Sequence, residues 1–136
     1  MKLDWRVGVA LAATLIACTE PTKHPAGCQG DVALAVGLAG SGPDVPLFGW
    51  SPECGISRLS VETVPAAGGA GILVWQFTAP EAAQIGPAIL YGRTPRGATE
   101  THAALQLSTG VTYRVTVLST VGGDGVVGGG TITFQL

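Results

Sequence analysis

The apolar positions of this chain fall into two regimes. Residues 7–18 (VGVALAATLIAC) form an unbroken apolar run behind a short head carrying Lys2 and Arg6, and the rest alternates. Val32, Leu34, Val36 and Leu38 alternate with Ala33, Ala35 and Gly37, a period of two that predicts a strand with one strongly apolar face. Gly40-Ser41-Gly42-Pro43-Asp44 breaks that pattern. Pro46, Phe48 and Trp50 then share one face of a second strand, closed by Ser51-Pro52. Residues 56–64 (ISRLSVETV) set Leu59 and Val61 against Arg58, Ser60 and Glu62, a strand with one wet face. After a small-residue turn at 65–71, residues 71–78 (GILVWQFT) place Leu73, Trp75 and Phe77 on one side. Residues 79–86 hold Glu81, Ala82 and Ala83, enough for one helical turn but too short for a packed helix. Residues 88–92 predict another short strand, and the polar 93–104 (RTPRGATETHAA) predicts a loop. Residues 107–118 direct Val111, Tyr113, Val115 and Val117 one way and Thr112, Arg114 and Thr116 the other. Asp124-Gly125 then marks a hairpin turn, after which Ile132, Phe134 and Leu136 alternate with Thr131, Thr133 and Gln135. The run Gly128-Gly129-Gly130 inside that last strand predicts a bulge or a twisted edge.

About seven short strands, no long helix and no repeat predict an all-β, antiparallel sandwich over residues 31–136. Composition narrows the partners. Only 12% of residues are charged, against about 25% in ordinary globular domains, and 21 are Gly. Beyond residue 17 the chain carries five basic and eight acidic side chains, a net charge of −3. That balance offers no footprint for nucleic acid or anionic lipid headgroups. The absence of Asn and the presence of only two Lys fit a GC-rich bacterial genome.

The first regime sets the address. A charged head, an apolar stretch and small residues before a cleavage point make residues 1–17 a secretory signal. A membrane-spanning helix needs roughly 20 apolar residues, about twice what is present. Leu15-Ile16-Ala17-Cys18 resembles the lipobox of bacterial lipoproteins. The resemblance implies that Cys18 carries a diacylglycerol, that cleavage falls just before it, and that Cys18 anchors the protein to a membrane. A plain secreted protein with a coincidental cysteine is the alternative. Thr19 stands where Asp retains some lipoproteins at the inner membrane, which favours the outer membrane or cell surface. Residues 18–30 then read as anchor and tether, with Pro21, Pro25 and Gly27 keeping the chain extended. With Cys18 acylated, Cys28 and Cys54 remain in a compartment that permits disulfides, and we expect them to pair. Two free thiols are the alternative; structural zinc needs four ligands, and the only histidines are His24 and His102.

A second resemblance concerns the domain. Leu107, Gly110, Tyr113, Val115 and Val117 are spaced as in the approach to strand F of fibronectin type III modules. There the Tyr forms a corner, its hydroxyl bonding back to nearby backbone. Phe48-x-Trp50-Ser51-Pro52 is similar to that family's strand B with its buried Trp. The resemblance implies an immunoglobulin-like or fibronectin type III-like sandwich. The paired cysteines and the long stretch between residues 71 and 110 depart from the family pattern.

Catalytic chemistry finds little to work with. His102 is the only histidine of the domain, with Glu100 nearby, but no Gly-x-Ser-x-Gly elbow accompanies it. The eight acids are scattered, so paired-carboxylate hydrolysis has no marked candidates. The Gly-rich turn at 122–130 lacks the Lys-Ser/Thr of a phosphate cradle, and Asp124 alone is thin for calcium. We therefore expect no catalytic residues, no metal and no cofactor. Binding is the better class. Tyr91, Arg93 and Arg96 are the candidate ligand residues, the alternative being that the arginines only solubilise a loop. Trp75 is a sugar-stacking candidate but reads more readily as core. Two functions follow: a recognition module for a protein or glycan, or an envelope-assembly subunit that pairs through an edge strand such as the Gly-rich last one.

Overall fold

Strand alternation between Tyr113 and Val117 becomes the centre of the larger of two sheets. The computed structural model describes residues 26–28, 32–38, 45–121 and 125–136. Among them the strands, in chain order, are β1 (Val32–Ala33), β2 (Ala35–Leu38), β3 (Leu47–Ser51), β4 (Arg58–Thr63), β5 (Leu73–Thr78), β6 (Ile89–Leu90), β7 (Thr99–His102), β8 (Thr112–Val121) and β9 (Gly125–Gln135). A single 3-10 turn spans Glu81–Ala83. One sheet has the order β1-β9-β8-β4-β5-β7 and the other β2-β3-β6. The signal, Cys18 and most of the tether lie outside the described residues, as does Asp124 in the β8–β9 turn.

The inner faces share one apolar core. Phe48, Leu59, Val61, Trp75, Phe77, Val115 and Val117 are fully buried there. Each such side chain stabilises the fold by about 1.5–3 kcal/mol relative to exposure. The Phe134 ring lies 5.6 Å from both Phe48 and Tyr113, so the last strand closes the core against both sheets. Trp50, 5% exposed, gives its indole N–H to the Cys54 carbonyl at 2.8 Å, which satisfies the one polar atom it buries.

Four expectations change. The strand expected over residues 31–38 is two strands in two sheets. β1 runs parallel to β9, with Val32 opposite Gly128, whereas β2 runs antiparallel to β3, with Leu38 opposite Phe48. The sandwich is therefore not wholly antiparallel. The crossing happens at Leu34, buried to 5%, whose N–H donates to the Gly129 carbonyl at 2.9 Å. Second, the polar segment 93–104 contains β7, which joins the outer side of β5 although Thr99, Glu100 and Thr101 stay exposed. An edge strand buries little, so its apolar pattern is weak. Third, the strand expected from residue 107 begins at Thr112, because Gly110 (φ 82°) turns the chain just before it. Fourth, these changes raise the count from seven strands to nine among the described residues.

The glycine run gets a physical explanation. A register shift between Ser119 and Thr120 places a bulge on β9 just before Gly128, as the sequence predicts. The run is not a free edge, however. A Cβ on Gly128 would lie 3.0 Å from the Cys28 Cβ and Sγ, and a Cβ on Gly130 would overlap the Leu34 carbonyl. Side chains are absent because the N-terminal segment lies directly on this backbone.

Candidate functional site

The two cysteines pair. Cys28 and Cys54 form a disulfide across 26 residues of sequence, with Cα atoms 4.9 Å apart. Beside it, Gly55 N–H donates to the Ala26 carbonyl at 2.8 Å, so the start of the described chain is fastened to the domain. Ser119, fully buried, accepts the Cys28 N–H at 3.3 Å and donates to the Gly55 carbonyl at 2.8 Å. Ser57 Oγ and Thr120 Oγ1 share a hydrogen bond of 2.9 Å in the same region. These hydroxyls are consumed in tying chain segments together, and no described histidine stands among them.

Tyr91, Arg93 and Arg96 occupy the connection from β6 to β7, and the structure divides their roles. Tyr91 turns inward. Its ring packs edge-on to Trp75 at 5.3 Å, and its hydroxyl lies 2.7 Å from the Leu105 carbonyl and 3.2 Å from that of Val74. It bridges the sheets, because its N–H also donates to the Pro46 carbonyl at 2.9 Å. Burial, with Tyr113 adding to it, pushes the phenol up from 10.0 to about 12. Arg93 and Arg96 are exposed and make no side-chain hydrogen bond or ion pair among the described residues. They remain available to carboxylates; the tyrosine hydroxyl does not.

Trp75 belongs to the core, with no exposed surface, so it offers no stacking platform. Its indole N–H donates to Glu100 Oε2 at 3.0 Å, and Thr94 Oγ1 donates to the same oxygen at 3.1 Å. Glu100 thus pins the β6–β7 connection to β5 rather than serving His102, whose Nδ1 lies 3.1 Å from the Ala103 carbonyl. The ion pair of Arg114 with Glu62, at 3.3 Å, sits on the sheet surface. Among the described residues, no three His, Cys, Asp or Glu side chains gather as a metal site.

A surface that the alternation pattern does not single out lies at one end of the sandwich. Leu38, Val45, Ile72 and Leu105 are the exposed large apolar side chains among the described residues, at 46%, 38%, 67% and 49% exposure. The registers place all four at the end away from the disulfide. Leu38 pairs with Phe48 near the start of β3, and Val45 precedes that start. Ile72 precedes β5, and the Leu105 N–H donates to the Val74 carbonyl at 2.9 Å. Tyr91 joins the two sheets toward this end through the Pro46 and Leu105 carbonyls. Their exposure depends on where each strand stops, which periodicity does not encode.

No protein-family model, curated protein or solved structure matches the chain.

Proposed function

We propose that this is a lipid-anchored protein of the bacterial cell envelope, on the outer membrane or cell surface, whose immunoglobulin-like domain acts as a non-catalytic binding module for another protein. The lipobox-like Leu15-Ile16-Ala17-Cys18 supports the anchor. Connectivity supports the immunoglobulin-like reading. β2, β3 and β6 share one sheet, β4, β8 and β9 the other, and β1 crosses to run parallel to the last strand. Tyr113 supports it too, since its hydroxyl accepts the Ser108 N–H at 2.8 Å, as a tyrosine corner does.

The observation that carries the binding reading is the set of exposed apolar side chains Leu38, Val45, Ile72 and Leu105. It lies at the end of the domain away from the segment that leads to the anchor. Exposed apolar side chains at one end, with Arg93 and Arg96 making no side-chain bond among the described residues, fit a protein patch that is apolar at its centre and acidic at its rim. Arg93 and Arg96 would meet that rim. A glycan draws less support, because Trp50 and Trp75 are core and the Tyr91 hydroxyl is occupied. Assembly through an edge strand also draws less. The Gly-rich part of β9 is covered by β1, and β7 carries Glu100 and a bulge opposite the step from Gln76 to Phe77. Charge and bulges blunt edge pairing.

Photo-crosslinkers placed at Ile72 and at Glu53 in whole cells test the binding reading. We expect discrete adducts from Ile72, weakened by Arg93→Glu with Arg96→Glu, and few from Glu53. Equal labelling from both positions refutes it. Fractionation and intact mass of the natural chain against Cys18→Ala test the anchor separately: unchanged values refute lipidation.

A further inference from the structure

The N-terminal segment pairs with both sheets and is tied near its start by the Cys28–Cys54 disulfide. β1 makes two residue pairs with β9, β2 makes four with β3, and Leu34 between them enters the core. Every one of these contacts is made to a body, residues 45–136, that is otherwise held by its own strand pairs, chiefly β4 with β5 and β8, and β8 with β9. The seat is shaped for this segment, since Gly130 has room for the Leu34 carbonyl only because it lacks a Cβ. At the front, Cys28–Cys54 and the Gly55-to-Ala26 hydrogen bond prevent the segment from leaving.

We infer that the disulfide is a gate on strand exchange: with Cys28 and Cys54 reduced, β1, Leu34 and β2 of one copy occupy the same seat on a second copy, giving a reciprocal dimer. The occupant is specified by the structure itself, because the segment already fits that seat within one chain. The exchanged dimer repeats the same strand pairs and the same burial of Leu34, so concentration decides between closed monomer and dimer. With the disulfide intact, residue 28 cannot depart and exchange is blocked. The inference is independent of the lipid anchor and of any ligand.

The redox step is ordinary thiol–disulfide exchange. A dithiol reductant attacks the half-buried Cys54 Sγ as its thiolate, and Cys28 leaves as a thiolate that takes a proton. The second reductant thiol then closes on the mixed disulfide and releases Cys54. Two electrons and two protons pass to the cysteine pair, and the reductant becomes a cyclic disulfide. In the exchanged dimer Cys28 faces Cys54 of the partner subunit, so reoxidation by oxidised glutathione, itself reduced to two thiols, locks the dimer covalently.

The test uses the full chain with Cys18→Ser, so that only the two relevant thiols remain. Equal amounts of ¹⁵N-labelled and unlabelled protein are mixed, reduced with dithiothreitol, concentrated and reoxidised with oxidised glutathione. We expect the sedimenting mass to double with concentration after reduction. We also expect the Cys28–Cys54 linked peptide from the reoxidised dimer to contain one labelled and one unlabelled half. Protein never reduced yields only same-isotope pairs. Cys28→Ser with Cys54→Ser should dimerise without reductant. Three results overturn the inference: a reduced chain monomeric at every concentration, a dimer linked through Cys28 to Cys28, or loss of amide protection at Val115 and Val117 on reduction, since exchange requires a folded body.

Discussion

Replacing Gly130 with Ala asks whether the N-terminal segment really crosses β9 where the structure places it. The new Cβ would overlap the Leu34 carbonyl oxygen and lie 2.9 Å from both the Leu34 carbonyl carbon and Val36 Cγ2. Carbon atoms prefer about 3.5–4.0 Å, so the segment must retreat by roughly 1 Å. Because the carbonyl is backbone, no rotamer change relieves the contact. A retreat of that size breaks the 2.9 Å bond from Leu34 N–H to the Gly129 carbonyl. The lost bond costs about 1 kcal/mol. Partial exposure of Leu34, buried to 5%, costs up to a further ~2 kcal/mol. The sum, about 2–3 kcal/mol, is a sizeable part of the 5–15 kcal/mol that holds a typical domain. Urea unfolding reads the total, and amide exchange locates it: Leu34 and Val36 should lose protection while Val115 and Val117 keep theirs. Gly37→Ala is the control, because its Cβ would meet nothing within 4 Å. A Gly130→Ala loss under about 0.5 kcal/mol, with Leu34 still protected, would refute the crossing.

Three further outcomes follow from named contacts. Ser119→Ala strands the Cys28 N–H and the Gly55 carbonyl in the interior, and should cost about 1–3 kcal/mol by urea denaturation with the disulfide still formed. Tyr91 links stability to alkaline pH. Its phenol titrates near 12 when folded and at 10.0 when exposed, so between those values the unfolded chain releases a proton that the folded one keeps. Its contribution is complete below pH 10 and is lost as pH rises toward 12; absorbance at alkaline pH should lose its late component in Tyr91→Phe. Arg114→Ala should change stability by less than about 1 kcal/mol, because its partner Glu62 is similarly exposed at 36% and water screens the pair. A larger loss would mean that the Arg114 stem packs more than its charge bonds.

Part of this molecule could be read from residue order. Leu59 and Val61, Trp75 and Phe77, and Tyr113, Val115 and Val117 are buried as their alternation requires, since a strand with one wet face has a single way to hide its apolar set. Phe48 and Trp50 enter the core for the same reason, and the Tyr113 hydroxyl accepts the backbone N–H of nearby Ser108. The pairing of Cys28 with Cys54 is the one expected if Cys18 is set apart, and the structure forms it. Local order determines these features because each depends on a period, a turn residue or a count.

Other features required the assembled sheets. β7 hid in a polar segment because an edge strand gains its hydrogen bonds from β5 and needs no apolar face of its own. Alternation from Val32 to Leu38 continues unbroken across two sheets, and only the nearby glycines of β9, 90 and more residues later, explain why the chain crosses at Leu34. Tyr91 and Arg93 look alike as surface candidates in sequence, yet the carbonyls of Val74 and Leu105 draw one inward and leave the other free. Sequence determined which residues alternate and therefore the core and most strands. Tertiary packing alone decided which backbone needed to be bare, which polar atoms were already spent, and which apolar side chains stayed in water, because each of those depends on neighbours far away along the chain.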